Sequence, residues 1–457
     1  MAAWRPKPNQ APLSGRGLLL PAVWLILAAA LCPPAGSAAV PEAGSAARPR
    51  APVADPADFD TCARLALKQS PYFTKSALEI EVRRLDELDS KSEYLPTVNL
   101  RAKYYFSQPS RANLANPTDY TLDFAIESFN PVVAHYGVKI RQVLKQVAVL
   151  THLKVISEGL KQLGHGFLEL EALSRLAALQ DQMLALAEQQ ATYARRRLDL
   201  GEATSLEVKI AAQEAEVAEV ERARLLAAHR RLQERLRSFL GLEPHHGLQF
   251  ETRESRRQVL GGKDGVDWEN VQPRFFDGRI EALKKELQSW NLTLSKFRLL
   301  PGLTAAVQTP DPITLTGVRG YFFSVGLTWP VFDGLRRFRD ISRQKTILAQ
   351  AEAQDEVKTR DVRQQWREAL DHVKAAAAAR QLARSRLELA RLQERQAELK
   401  YQGGDPLSQT LTAQRRRLEA EGQGILKDLE HDQAVLEVRH LAGDLINGYV
   451  SESSWLP

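Results

Sequence analysis

The chain has 457 residues, 44% apolar, 26% charged and 7% aromatic, which is enough for two or three ordinary domains or one elongated body and too apolar for a disordered chain. Lys and Arg total 62 against 56 acids, and three of the positives (Arg5, Lys7, Arg16) precede the first acid, so the rest is nearly balanced and offers no concentrated basic face for nucleic acid. Two cysteines, Cys32 and Cys62, exclude a disulfide framework, and no Cys/His spacing suggests zinc.

The N-terminal positives lead into the apolar run Leu18 to Leu31, followed by small residues around Ser37 to Ala39. This reads as an export signal over residues 1–38, with a disordered linker over 39–56. A lipoprotein signal acylated at Cys32 competes with it, but Leu31 stands where such a signal needs a small side chain. No later run is long and apolar enough for a transmembrane helix, so a membrane-inserted form of this chain has to be a barrel.

Two copies of one plan follow, offset by about 200 residues. Ser70-Pro71 recurs as Gln272-Pro273, Leu95-Pro96 as Leu300-Pro301, Pro131 as Pro330, and Leu200-Gly201 as Gln402-Gly403. The first copy spans 57–240, a connector 241–272, the second copy 273–441 and a tail 442–457. Each copy is expected to hold a Pro-led helix ending at Leu-Pro, two strands, a long helix, a Gly-containing turn and a return helix.

The strands are expected near 97–107 and 120–130, then 303–308 and 320–329. Val98, Leu100, Ala102, Tyr104 and Phe106 alternate with Thr97, Asn99, Arg101, Lys103 and Ser107; Tyr120, Leu122, Phe124 and Ile126 alternate with Thr121, Asp123 and Glu127. Leu303, Ala305 and Val307, then Tyr321, Phe323, Val325, Leu327 and Trp329, repeat the pattern. Period two gives each strand one apolar and one polar face. Strands of about ten residues with aromatics near their ends match those of membrane barrels.

Residues 132–200 and 334–402 contain no internal proline, and at about 1.5 Å per residue each helix reaches roughly 100 Å. Heptad-spaced Leu176, Leu179, Met183, Leu186 and Tyr193, and Ala383, Leu387, Ala390, Ala397 and Tyr401, are expected to meet the return helices 203–240 and 406–441 through Leu206, Ile210, Val217 and Val220 and through Leu411, Leu418, Ile425, Leu429 and Leu436. That describes antiparallel coiled-coil hairpins. Gly159, Gly164 and Gly166 mark an expected weak place or bend in the first rod. The run Ala375 to Ala379 reads either as a close-packing stripe or as simple helix propensity.

Four strands cannot close a barrel, since the smallest have about eight. Three copies give twelve strands and six long rods. The resulting fold class is mainly α with a small β part: a coiled-coil α-barrel continuous with a transmembrane β-barrel, four strands per protomer, closed in a trimer. Such an object is a conduit. The rival reading is an exported periplasmic coiled-coil scaffold whose short strands form a soluble cap.

The order of a Pro-led helix, Leu-Pro before a strand, Pro330-Val331-Phe332-Asp333-Gly334 before the long helix, Tyr401-x-Gly403-Gly404 and Leu411-x-Ala413 resembles the TolC family of outer-membrane efflux proteins over residues 57–441. The resemblance implies an outer-membrane trimer with a long periplasmic tunnel, docking on a periplasmic adaptor and an inner-membrane transporter of proton-driven or ATP-driven type, with no cofactor or nucleotide of its own. It implies that the turns Gly201, Glu202, Thr204, Ser205 and Tyr401, Gly403, Gly404, Asp405 form the periplasmic tip, meeting the adaptor and closing the tunnel. Some family members carry two aspartates there; this chain has Gln409 and Thr412 instead, so a strong cation-blocked entrance is not expected. Arg101, Lys103, Asp123 and Glu127 are expected to face the barrel lumen and, with mixed signs, to tune ion preference only slightly.

No phosphate-binding loop, serine-hydrolase elbow or zinc-protease motif occurs. Gly164-His165-Gly166 lies inside a rod without a preceding strand, His245-His246 lies in the charged connector, and Glu169 and Glu171 read as solvated helix faces. No catalytic residues are expected, and the chain reads as a non-enzyme.

Overall fold

A computed structural model describes residues 57–95, 97–104, 118–243, 247–261, 268–308, 322–329, 332–404, 406–447 and 449. The export signal, the linker, Cys32, His245-His246 and Asp405 lie outside the described residues. The elements are α1 (Phe59–Gln69), α2 (Pro71–Ser92), β1 (Thr97–Tyr104), β2 (Thr118–Phe129), α3 (Pro131–Asp199), α4 (Ser205–Phe239), α5 (Thr252–Leu260), α6 (Trp268–Val271), a 3-10 turn (Gln272–Arg274), α7 (Phe276–Phe297), β3 (Gly302–Gln308), β4 (Phe322–Thr328), α8 (Arg336–Gln402) and α9 (Leu407–Leu441). None of these helices is long and apolar enough to cross a membrane.

The spine is α3. It starts where Asn130 Oδ1 accepts the backbone N–H groups of Val132 and Val133 at 3.0 and 3.2 Å, with Pro131 in the first turn, where its missing N–H costs nothing. It packs on α2 and α4 along one side and on α7 and α9 along the other, while α8 packs on α7 and α9. The trunk therefore runs laterally as α4, α3, α9, α8 in one half and α2, α3, α7, α8 in the other.

A layer of shorter elements covers one face of α3. Phe167 is buried between Phe59 of α1 and Phe250 of the connector, at ring separations of 6.0 and 5.6 Å. Ser255 of α5 is fully buried and accepts the Phe59 N–H at 2.9 Å. The opposite face of α3, carrying Thr151, Gln162 and Glu169, is exposed.

No break occurs at Gly159, Gly164 and Gly166, the expected weak place: α3 is one continuous helix through them. Each glycine is instead a notch for a neighbouring side chain. A Cβ on Gly159 would lie 2.5 Å from the Phe73 ring, one on Gly164 2.9 Å from Leu436 and one on Gly166 2.6 Å from Leu236. Three partner helices enter the spine at these points, and their packing offsets the helix propensity lost to glycine. The second copy also departs from the expected Pro-led helix: Pro273 opens a 3-10 turn, and α7 begins at Phe276.

The four described strands form one antiparallel sheet in the order β1-β2-β3-β4. Val98 pairs with Phe124, Phe124 with Val307 and Val307 with Phe323, so the apolar positions align across the sheet. A bulge on β2 sets Glu127 and Ser128 against Thr304 alone. Strict alternation would send Phe129 to the polar face; the bulge returns it opposite Leu303 and in line with Leu327.

Candidate functional site

Three features carry the functional geometry: the two helix–helix turns, the two faces of the sheet and the lateral edges of the chain.

The first turn is locked by the backbone. Gly201 N–H donates to Leu198 O at 2.9 Å and Glu202 N–H to Arg197 O at 2.8 Å, which requires the left-handed φ of 77° at Gly201. Thr204 Oγ1 accepts the Glu207 N–H at 3.2 Å, capping α4 before Ser205. Glu202 points outward, but Arg197 donates to its carbonyl at 2.8 Å and sits 3.8 Å from its carboxylate, so its charge is partly neutralised within the turn. Arg197 is a residue that sequence reasoning missed; its spacing of five from Glu202 spans a turn and leaves no helical signature.

In the second turn Gly404 adopts φ 105° and donates to Tyr401 O at 3.0 Å, while Gly403 N–H donates to Leu399 and Lys400 carbonyls. Tyr401 is exposed, as are Gln409 and Thr412, the latter donating its hydroxyl back to Ser408 O at 2.8 Å. Tyr193, six residues before the end of α3, and Leu407, the first residue of α9, share one apolar cluster, so both turns lie at the same end of the trunk.

Both expected hairpins form, α3 packing on α4 and α8 on α9. In addition, Leu179 and Leu186 of α3 pack against Leu411, Leu418 and Ile425 of α9, an interface between the two copies that the hairpins alone do not include. Leu206, Ile210, Val217 and Val220 of α4 are 52–64% exposed. The second hairpin closes with Ala383 and Ala390 buried and Arg417 bound to Glu394 at 2.8 Å. Heptad spacing marks which positions are apolar but not every partner they meet.

Charged side chains lock the α3–α9–α8 register. Asp428 of α9 lies 2.6 Å from Arg380 of α8 and 3.8 Å from Arg175 of α3. Arg256 of α5 bridges Glu171 at 3.3 Å and Asp432. Glu171 is therefore a paired, largely buried side chain and not the solvated one expected, whereas Glu169 is exposed. His440 is partly buried against the Ser157 hydroxyl at 2.8 Å, and that desolvation, with Lys161 nearby, lowers its pKa to about 4. Burial pushes the Cys62 thiol up to about 12, which leaves it unreactive.

On the sheet, Arg101 pairs in register with Thr121, Lys103 with Asp119 and Asp123 with Asn99 and Gln308, placing Arg101, Lys103 and Asp123 at positions of the polar face. Glu127 falls in the bulge. On the other face Phe323, Val325 and Leu327 are 63–69% exposed, a continuous apolar surface unusual for a water-facing sheet. β1 and β4 each have one edge without a partner strand among the described residues.

No protein-family model matches the sequence, and no curated protein matches it. Solved structures do. An outer-membrane protein, VceC, from Vibrio cholerae superposes with a TM-score of 0.71 at 14% identity, covering 84% of this chain and 96% of that one. A membrane protein from Pseudomonas aeruginosa gives 0.71 at 17% identity, with 87% and 96% covered, and the CmeC outer-membrane channel of Campylobacter jejuni gives 0.71 at 12%, with 87% and 88% covered. The chain has the fold of the TolC-type outer-membrane channels. At these identities the likeness is one of fold alone.

Proposed function

We propose that this chain is an outer-membrane channel of the TolC type, a homotrimer that conducts solutes from a periplasmic adaptor and an inner-membrane transporter to the cell exterior. The observation that carries the reading is that both layers are unfinished at their lateral edges. The sheet ends in unpaired β1 and β4, and the trunk ends in the apolar positions of α4 and, on α8, in exposed Leu382, Leu389, Leu392 and Leu399. An edge strand and an apolar helix stripe on each flank are liabilities in a monomer. Head-to-tail contact of β4 with β1 and of α8 with α4 in a neighbouring copy completes both layers at once, and a rotation that closes gives a ring. With four strands each, three copies make a twelve-stranded barrel.

In that ring the apolar sheet face meets lipid and the polar face lines the pore, while the turns Gly201–Ser205 and Tyr401–Asp405, with Gln409 and Thr412, form the adaptor-facing tip. No step in this work requires chemistry by the chain. The rival, a periplasmic scaffold, leaves the apolar sheet face in water. The two separate on fractionation of a Gram-negative host. The channel reading expects a detergent-extracted, heat-resistant species of three chains in the outer membrane that conducts ions in planar bilayers; release of a non-conducting chain by salt wash overturns it.

A further inference from the structure

At the junction of trunk and sheet, a cleft of about 750 Å³ is lined by Arg298, Arg336, Arg337, Arg339 and Arg343, with Asp340 as its one acid and buried Ser295 among its walls. Arg298 follows the last residue of α7, four residues before β3, and the others occupy the first two turns of α8, beginning eight residues after β4. Asp333 pairs with Arg337 at 3.3 Å and Asp340 with Arg343 at 3.6 Å. Among the described residues no carboxylate lies within ion-pair distance of Arg298, Arg336 or Arg339. Five guanidiniums therefore share two carboxylates, with Arg339 also donating to the Gly334 carbonyl at 2.9 Å, and the cleft carries a local excess of positive charge that an anion would offset.

The helix on which most of them sit sharpens the conflict. At the start of α8 Leu335 offers no side-chain cap and the first turn holds no acid; Asp333, two residues earlier, accepts the Arg337 N–H at 3.3 Å, and three arginines stand where the helix dipole disfavours positive charge. The equivalent helix α3 opens on Asn130 with no arginine before Arg141. An anion held by the arginine fork would neutralise both the cluster and the dipole.

The helical turn fixes the side on which the cleft lies. At about 100° per residue, Phe338 and Arg363 share one face of α8, and Arg336 and Arg343 lie on the opposite one. Arg363 lies over the ring of Trp268 in α6, at 5.9 Å, and its neighbours Val362 and Trp366 are buried against Val271 and Phe275, so the outer layer of short helices covers that side of α8 at mid-helix, while Phe338 near its start is exposed. The arginine face continues as exposed Gln354, Asp361 and His372, matching uncovered Thr151, Gln162 and Glu169 on α3. In a closed ring only the uncovered side can border an open lumen.

We propose that this cleft is an anion-binding site at the neck of the pore, a basic collar that draws in phosphate-bearing or polycarboxylate solutes in transit. The inference rests on the channel reading and adds a substrate class to it. Three copies would present fifteen arginines at one level of the conduit, and bidentate guanidinium pairing suits such anions better than monovalent halide.

The test uses the full-length oligomer in planar bilayers with inorganic tripolyphosphate added on the trunk side. The wild-type current is expected to be blocked, with block about tenfold weaker in the triple variant Arg336→Gln, Arg339→Gln, Arg343→Gln and an accompanying shift of reversal potential toward cations. The corresponding triple Arg→Lys variant, which keeps charge, retains block and controls for folding; both variants must give the heat-resistant oligomer, and single Arg336→Gln with a smaller loss of block substitutes if the triple does not. Equal block in wild type and the Gln variants overturns the collar while leaving the channel intact. Unchanged block with reduced flotation on phosphatidylglycerol vesicles places the cleft against lipid and overturns it too. A wild-type oligomer that conducts nothing removes the channel reading itself.

Discussion

The two long rods are nearly equal in length, 69 and 67 residues, and unequal in circumstance. α3 buries twenty-two of its residues and α8 only five, although both run the length of the trunk, so one is a spine surrounded by its own chain and the other an edge awaiting a neighbour. The difference begins in composition: α3 carries Val149, Leu153, Ile156, Leu160, Leu163 and Phe167 on one side with glycines between them, whereas α8 is rich in Arg, Gln and Glu. Folding of the single chain should thus depend on α3, and assembly on α8 and its counterpart edge α4.

The largest effect expected from this contrast is at Phe167, buried between two other rings. Phe167→Ala should destabilise by about 3–5 kcal/mol in chemical denaturation, because it removes the contact between spine and outer layer. Next is Gly159→Ala. Helix propensity alone would make the change favourable by up to about 1 kcal/mol, but the new Cβ meets the Phe73 ring, and a net loss of about 1–3 kcal/mol is expected. A gain in stability would show that the glycine is no notch.

A smaller effect concerns pH. In the folded chain His440 is held to about 4, below its value of about 6.5 when unfolded, so the unfolded chain takes up the proton first. Its contribution is full above pH 6.5 and is lost progressively as pH falls toward 4. Denaturation midpoints of His440→Gln should fall less steeply over that window than those of the wild type; parallel curves would mean that the imidazole is protonated in the fold. The smallest effect on folding is expected at the edge. Val217→Ser with Val220→Ser should change stability of the single chain by no more than about 0.5 kcal/mol, since both are exposed, while lowering the yield of oligomer in native electrophoresis.

Period-two alternation made both faces of the sheet legible before any coordinates, and proline-free heptads marked the rods to within a few residues. What escaped was the further contact between the copies. Leu179 and Leu411 are apolar at a spacing that serves the hairpins, which do form, and only the three-dimensional order of helices shows that these two also meet each other. The glycines misled for a related reason: a helix-weakening residue and a helix-packing notch are the same letter, distinguished by Phe73, Leu236 and Leu436, which come from distant segments. Glu171 and Arg256, eighty-five positions apart, form a pair that no local pattern announces. The turns were legible in Gly201 and Gly404, but Arg197's grip on Glu202 was not. The basic collar was visible as letters, Arg336 to Arg343, yet its meaning needed Arg298 from another helix and the covered side of α8.

The central claim is that one face of the sheet is in lipid and the other in water. Nitroxide labels placed singly at Phe323, Ser324, Val325, Gly326 and Leu327 in native outer-membrane vesicles report it through collision with oxygen, which favours lipid, or with a water-soluble nickel chelate. The account predicts oxygen-dominated relaxation at 323, 325 and 327 and chelate-dominated relaxation at 324 and 326. Chelate access at all five positions would contradict it.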